Sequence, residues 1–336
     1  MRRTLFFVGL LVCLCGVILQ AQAPITPKPP FTAKEAEIGK QLAAKSLEIR
    51  AQIKTPGGPA EPFKMIGNLY WVGEQNGEVY LLTSPQGHIM FGAGYVQGAE
   101  GVEKNIEKMG LKLSDIKVIL INHNHADQTG AASYFKQKTG AQLMAGFGEV
   151  PFIQNGGALP PPANAQRGAA PAVPAGGGGG YPPVKVDRAL YDGDVIKVGP
   201  LTVTAYLVPG HSASSTTYVY TVRDGNKDYR TIQFCCWEYP EDISRSPYIN
   251  EASVRHTFET FRKIMPIDIY LELGRYAWGG VVNQPENLTI DERTEKVKAN
   301  PMLFVNRDIF KQWSAAREVE FEEKLAKLKG VSPIYK

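Results

Sequence analysis

Two hydrophobic periods divide this chain, and the points where one gives way to the other mark its elements. Lys34 to Gln52 carries Ile38, Leu42, Leu47 and Ile49 among charges, which predicts an N-terminal helix. After a Pro/Gly break at 55–62 come short strand-like runs at 63–66, 69–72, 79–83 and 88–91. Gly and Pro separate them closely, which predicts an antiparallel meander. Val102, Ile106 and Met109 share one helical face. Lys117 to Ile121 is β-branched and apolar and reads as a buried strand. Gln128 to Lys138 then reads as a helix with Asp127 as its N-cap, and 141–145 as the next strand. Strand runs return at 195–198, 201–208, 216–221 and 230–234. A helix at 254–264, a strand at 267–271 and a long charged helix at 308–329 complete the pattern. A meander with helices, given twice, predicts an α+β fold in which two mostly antiparallel sheets pack face to face with helices outside.

Residues 151–180 interrupt this pattern with Pro160-Pro161-Pro162, scattered alanines and the run Gly176 to Gly180. Nothing there can pack, and a flexible insertion is expected. The chain has 336 residues, with apolar and charged fractions of 43% and 21%, as in a globular protein. Its charge of +4 includes Arg2 and Arg3, and no Lys/Arg-rich block suggests a nucleic-acid surface. Those arginines, the apolar stretch Leu5 to Leu19 and Ala21-Gln22-Ala23 read as a secretory signal over 1–23. The mature protein is therefore expected outside the cytoplasm, in a bacterial periplasm, and off the membrane. Residues 24–60 form a helical extension and 61–330 the main domain. Cys235 and Cys236 alone would survive signal removal, and adjacent cysteines rarely pair, so no disulfide framework is expected.

The chemistry concentrates where the strand at 117–121 ends, in His123-Asn124-His125-Ala126-Asp127-Gln128. Two of only five histidines stand one residue apart at a strand-to-helix turn. Open sheets place their ligands at such strand ends. His211 follows another strand in the tight turn Pro209-Gly210-His211. Three imidazoles from two strand ends would make a zinc site with an open fourth position, able to supply hydroxide near neutral pH. His88 and His256 have no partners at motif spacing, and Ser212, Ser214 and Ser215 read as turn formers.

These residues resemble the metallo-β-lactamase superfamily, and within it the third subclass of metallo-β-lactamases. The family pattern His-x-His-x-Asp-His is present as His123-x-His125-x-Asp127-Gln128, and the family's Gly-His turn as Gly210-His211. Glu61-Pro62-Phe63, Gly67-Asn68-Leu69-Tyr70, Tyr181-Pro182-Pro183 and Asp192-Gly193-Asp194 add to the likeness over about residues 60–330. The resemblance implies an αββα sandwich. It assigns His123, His125 and His211 to a first zinc and Asp127 to a second, with Asp127 also orienting the nucleophile and handling its proton. The second site departs from the pattern. Gln128 replaces one histidine, and the turn Glu272-Leu273-Gly274-Arg275 lacks the other. Gln128, Glu272 and Cys236 are the substitutes the chain offers for ligands there, and Arg275 the substitute for the ion's charge. One well-formed zinc and a doubtful second are expected.

The implied activity is opening of a β-lactam amide in a small-molecule substrate by zinc-bound hydroxide, weak or altered by the incomplete second site. Two other readings stand beside it. One is hydrolysis of another small ester, lactone or thioester. The other is a metal- or ligand-binding protein of the same fold without catalysis.

Overall fold

A computed structural model describes residues 29–55, 57–159, 172–174, 180–234, 236–237, 243, 249–272, 274–285 and 287–334. The expected signal peptide and most of the 151–180 insertion lie outside the described residues. In chain order the elements are α1 (Ala33–Arg50), β1 (Phe63–Ile66), β2 (Leu69–Trp71), β3 (Tyr80–Leu82), β4 (His88–Phe91), α2 (Ala99–Lys108), β5 (Ile116–Ile121), α3 (Ala126–Thr129), α4 (Ala132–Thr139) and β6 (Gln142–Gly146). There follow α5 (Val150–Ile153), β7 (Ala158–Leu159), β8 (Ala172–Pro174), β9 (Arg188–Leu190), β10 (Val195–Val198), β11 (Leu201–Leu207), β12 (Thr216–Asp224) and β13 (Lys227–Gln233). The last are α6 (Glu251–Ile264), β14 (Ile269–Leu271), α7 (Gly279–Val282), α8 (Ile290–Ala299) and α9 (Ile309–Lys329).

The strands form a seven-stranded sheet in the order β1-β2-β3-β4-β5-β6-β9 and a five-stranded sheet in the order β10-β11-β12-β13-β14. The first four strands are the expected meander. From β4 onward the seven-stranded sheet is parallel, as is the β13–β14 pair, so both sheets are mixed. The parallel half follows from the helices, because α2 and α3–α4 are crossovers that return the chain to the same edge. Within the insertion, β7 and β8 pair as a small antiparallel ladder.

Alternation along the strands builds the layers. Val118 and Leu120 of β5 face the five-stranded sheet, where they meet Tyr218, Tyr220 and Val203. Ile119 and Ile121 face α2 and α4 and meet Val102, Ile106 and Phe135. On the far side, Val219, Ile232 and Tyr270 pack under α1, α6 and α9 against Leu42, Phe261, Phe310 and Trp313. Helices, sheet, sheet, helices: the fold is the αββα sandwich. The N-terminal helix belongs to its outer layer. Gly39 of α1 lies so close to α9 that a Cβ would stand 2.0 Å from the Gln312 carbonyl.

Two differences from the sequence reading bear on the site. The helix after the histidine motif is broken into α3 and α4 around Gly130, where a Cβ would meet the Ala126 carbonyl at 2.4 Å and the Val96 amide at 2.8 Å. Its N-cap is His125, without a side-chain capping bond, and Asp127 lies inside the first turn. Asp127 is thereby kept from capping.

The two sheets are stitched together beside the motif. Asn122 accepts from the Thr216 amide at 2.8 Å, and its Nδ2 donates back to the Thr216 carbonyl at 2.8 Å. Tyr218 Oη donates to the Ile121 carbonyl at 2.8 Å. Replacing Asn122 with Ala leaves the buried Thr216 carbonyl without that donor and is expected to cost about 1–3 kcal/mol, read as a lower denaturant midpoint with an unchanged slope.

Candidate metal centre

β5 delivers His123 and His125 from one sheet, and β11 delivers His211 from the other. Their ring centroids are 4.5, 4.7 and 4.7 Å apart, with the rings near perpendicular to one another. The three offer nitrogens within 4.8 Å of each other, a cluster that could hold a metal ion. His211 Nε2 lies 3.0 Å from His125 Nδ1. Both ring nitrogens of His123 are fully buried and have no hydrogen-bond partner. A buried imidazole with two unmet nitrogens is costly unless something else binds it. A metal ion fits that need, and neutral imidazole is the form that binds one. Burial, with the neighbouring His211 next, pushes the His125 pKa down to about 3, and His123 falls well below its ordinary value for the same first reason. All three sequence-predicted histidines are thus brought together. Asp127 stands beside them, its Oδ1 3.9 Å from His123 Nε2.

What holds the two loops in register is a residue that carries no motif signal. Glu149, in the turn between β6 and α5, has no exposed surface. Its Oε2 accepts from the Asn124 amide at 3.0 Å and from Asn124 Nδ2, between the two motif histidines. Its Oε1 accepts from Ser212 Oγ and the Ser214 amide, both at 2.7 Å, just after His211. One carboxylate therefore spans both ligand loops. Burial raises its pKa, and these four donors oppose the rise. Ser212 and Ser214 are turn formers, as read from the sequence, and also donors to this clamp. Tyr181 Oη donates to the Asn124 carbonyl at 2.5 Å and braces the same loop.

The second side of the site departs from the sequence reading in several places. Gln128 does not turn its amide freely towards Asp127, because Nε2 donates to the buried carboxylate of Glu78. Glu272 is buried and accepts from Tyr270 Oη, on the face of β14 that meets the helices. Cys236 is disulfide-bonded, so it has no free thiolate to offer as a ligand, although the sequence reading expected no disulfide framework. Arg275 is neither beside the histidines nor exposed. Its Nη1 donates to Asp291 at 2.8 Å and Thr294 at 3.2 Å, and its guanidinium lies 5.6 Å from the Trp71 ring. Gly274 has φ +69°, and a Cβ there would stand 2.9 Å from the Tyr276 ring. The local backbone thus disfavours a histidine at that position.

Glu149→Gln would turn one acceptor into a donor facing donors and loosen the spacing of the two loops. Loss of such outer partners typically weakens metal affinity about 10–100-fold. That loss is expected here in competition with a chromophoric chelator.

Comparison with known proteins agrees with this geometry. The sequence model of the metallo-beta-lactamase superfamily matches residues 72–224. A beta-lactamase hydrolase-like protein of Xylella fastidiosa is 31% identical over 128 residues, 38% of this chain and 26% of that protein. A hydroxyacylglutathione hydrolase of Methylobacterium nodulans is 29% identical over 123 residues, 37% of this chain and 35% of that protein. The chain thus spans about a quarter to a third of the length of these relatives. Among solved structures, BJP-1, a subclass B3 metallo-beta-lactamase of Bradyrhizobium japonicum, superposes with TM-score 0.61 and 29% identity, covering 82% of this chain and 98% of that one. Fold, sequence match and histidine cluster coincide in one place: the chain is similar to the metallo-beta-lactamase superfamily over residues 72–224 and resembles its B3 subclass in fold.

Proposed function

We propose that the protein is a zinc-dependent hydrolase of a small molecule, with a β-lactam amide as the leading substrate class. The observation that carries this reading is the buried His123, whose two unmet nitrogens stand within a cluster of three imidazoles. His123, His125 and His211 would hold the zinc. Bound there, it supplies Lewis acidity and makes hydroxide available near neutral pH. Asp127 is placed to orient a nucleophile and accept its proton, its Oδ1 being 3.9 Å from a ligand nitrogen. It can then return that proton to the leaving nitrogen. The Glu149 clamp keeps the imidazoles fixed while this happens.

The reading includes a single zinc. Gln128 is engaged with Glu78, Glu272 with Tyr270 and Arg275 with Asp291, and Gly274 stands where the family pattern has its late histidine. Without a second zinc to stabilise the leaving anion, β-lactam turnover is expected to fall below that of two-zinc enzymes. The likeness to a hydroxyacylglutathione hydrolase favours a second reading, hydrolysis of an acyl thioester or lactone at the same centre. The apolar stretch after Arg2 and Arg3 supports export to a periplasm. Among the described residues no helix is long and apolar enough to cross a membrane.

Turnover of a penicillin, a carbapenem, an acyl lactone and an acyl thioester by zinc-loaded protein tests the proposal. At least one substrate is expected to be cleaved, with loss of activity on chelation and in His123→Ala. Zinc retention with no cleavage of any of the four would favour a binding protein instead. For the substrate that is cleaved, Asp127→Asn is expected to lower kcat by about 10²–10⁴-fold while zinc content stays near wild type.

A further inference from the structure

We propose, on the basis of the hydrolytic reading above, that Tyr95 is a further catalytic residue of this centre, its phenol O–H donating a hydrogen bond to the atom that leaves with the negative charge when the substrate bond breaks. Tyr95 stands in the loop that follows β4. β4 and β5 are parallel neighbours, so this loop opens on the same mouth as His123 and His125. The loop is tied to the helix that carries Asp127. The Ala93 amide donates to the Gln128 carbonyl at 2.7 Å, and the Ala131 amide donates to the Gly94 carbonyl at 3.0 Å. Gly130 permits this approach, since a Cβ there would stand 2.9 Å from the Gly94 carbonyl oxygen. On the other side the Tyr95 amide donates to the buried carboxylate of Glu74 at 2.6 Å. The backbone at Tyr95 is therefore held from two sides.

The side chain is held as well, and its proton is left to give. Asn76 is buried at φ +58°, and its side chain is hydrogen-bonded to the Tyr95 hydroxyl. Asn76 Oδ1 has no partner, so Nδ2 is the group that meets the phenol oxygen. Among the described residues no acceptor takes the phenol proton. Gly274 lies between Asn76 and the Tyr276 ring, for a Cβ there would stand 3.6 Å from Asn76 Cα and 2.9 Å from the ring. The Arg50 guanidinium lies 5.3 Å from the centre of that ring. Asn76, Tyr276 and Tyr95 thus wall the side of the centre where Asp127 stands. Burial first, and the Asp127 charge next, push the Tyr95 pKa up to about 12, so at neutral pH the phenol is a donor. The chemistry asks for one. As the nucleophilic oxygen bonds to the carbonyl carbon and the carbon–nitrogen bond breaks, the electron pair of that bond passes to the nitrogen. Asp127 carries the proton that this nitrogen finally takes. Until it arrives, an O–H aimed at the developing charge lowers its energy, most of all where water is scarce. Tyr95 keeps its own proton throughout, since the Asp127 charge beside it disfavours a phenolate.

Tyr95→Phe in zinc-loaded protein tests the assignment, on two substrates that differ in the basicity of the leaving atom. A penicillin, whose leaving nitrogen is strongly basic, is set against a chromogenic cephalosporin, whose leaving charge is delocalised. If lactones or thioesters are the substrates, an alkyl lactone is set against an acyl thioester. On the basic leaving group kcat is expected to fall about 10²-fold, against about threefold or less on the other substrate, with KM and zinc content near wild type. Asn76→Gly keeps the left-handed backbone and removes the amide that fixes the phenol. It should show the same dependence on the leaving group at smaller size, a pattern that misfolding does not produce. Contact is also read without turnover. In protein carrying ¹³C at the tyrosine Cζ, the resonance missing from Tyr95→Phe should shift when the hydrolysed product binds. Equal losses on both substrates, wild-type rates in Tyr95→Phe, cleavage of the thioester alone, or a Tyr95 resonance unmoved by product would overturn the assignment and leave the hydrolytic reading standing. Wild-type protein that cleaves no substrate would overturn both.

Discussion

The centre depends on one carboxylate joining two loops that belong to different sheets. His123 and His125 end β5 of the seven-stranded sheet, and His211 follows β11 of the five-stranded sheet. Two sheets packed through side chains alone hold their edges in register only as well as those side chains pack. Glu149 adds a direct link, with Asn124 on one oxygen and Ser212 and Ser214 on the other. The exchange between Asn122 and Thr216 adds a second link on the other side of His123. Together they set the spacing of three imidazoles that no single element could set. Burial then keeps His123 and His125 neutral, so the geometry and the protonation state suited to a metal arise from the same packing.

The histidines were legible in the sequence because strand ends are legible. An apolar run that stops at a pair of polar ligands announces both its element and its chemistry, and the Pro-Gly turn does the same for His211. The layers were legible for a related reason, since alternation along β5 assigns Val118 and Leu120 to one face and Ile119 and Ile121 to the other. The parallel half of the seven-stranded sheet was less visible. Pairing direction depends on where a crossover helix returns the chain, and local pattern does not record that.

The supporting residues were hidden for a different reason. Glu149 lies 25 positions from Asn124 and 63 from Ser212. No local spacing links them, and each looks like an ordinary polar residue near an element's end. Glu272 was readable in principle. It shares the strand parity of Tyr270, which faces the helices, so its carboxylate follows that face. Arg275 was harder, because the turn at Gly274 carries it away to α8 through a backbone conformation that the sequence marks only by a glycine. The Asp127 cap failed because the turn begins two residues earlier, at His125, and that frees the carboxylate to stand beside the ligands.

The central claim is that His123, His125 and His211 are the complete protein ligand set of one zinc. X-ray absorption at the zinc edge of the metal-replete protein tests it most directly. The account predicts a four-coordinate shell of nitrogen and oxygen at about 2.0–2.1 Å, with outer-shell scattering from three imidazoles and no zinc–zinc vector near 3.5–4 Å. A sulfur ligand, scattering from fewer than three imidazoles, or a clear zinc–zinc vector would contradict it.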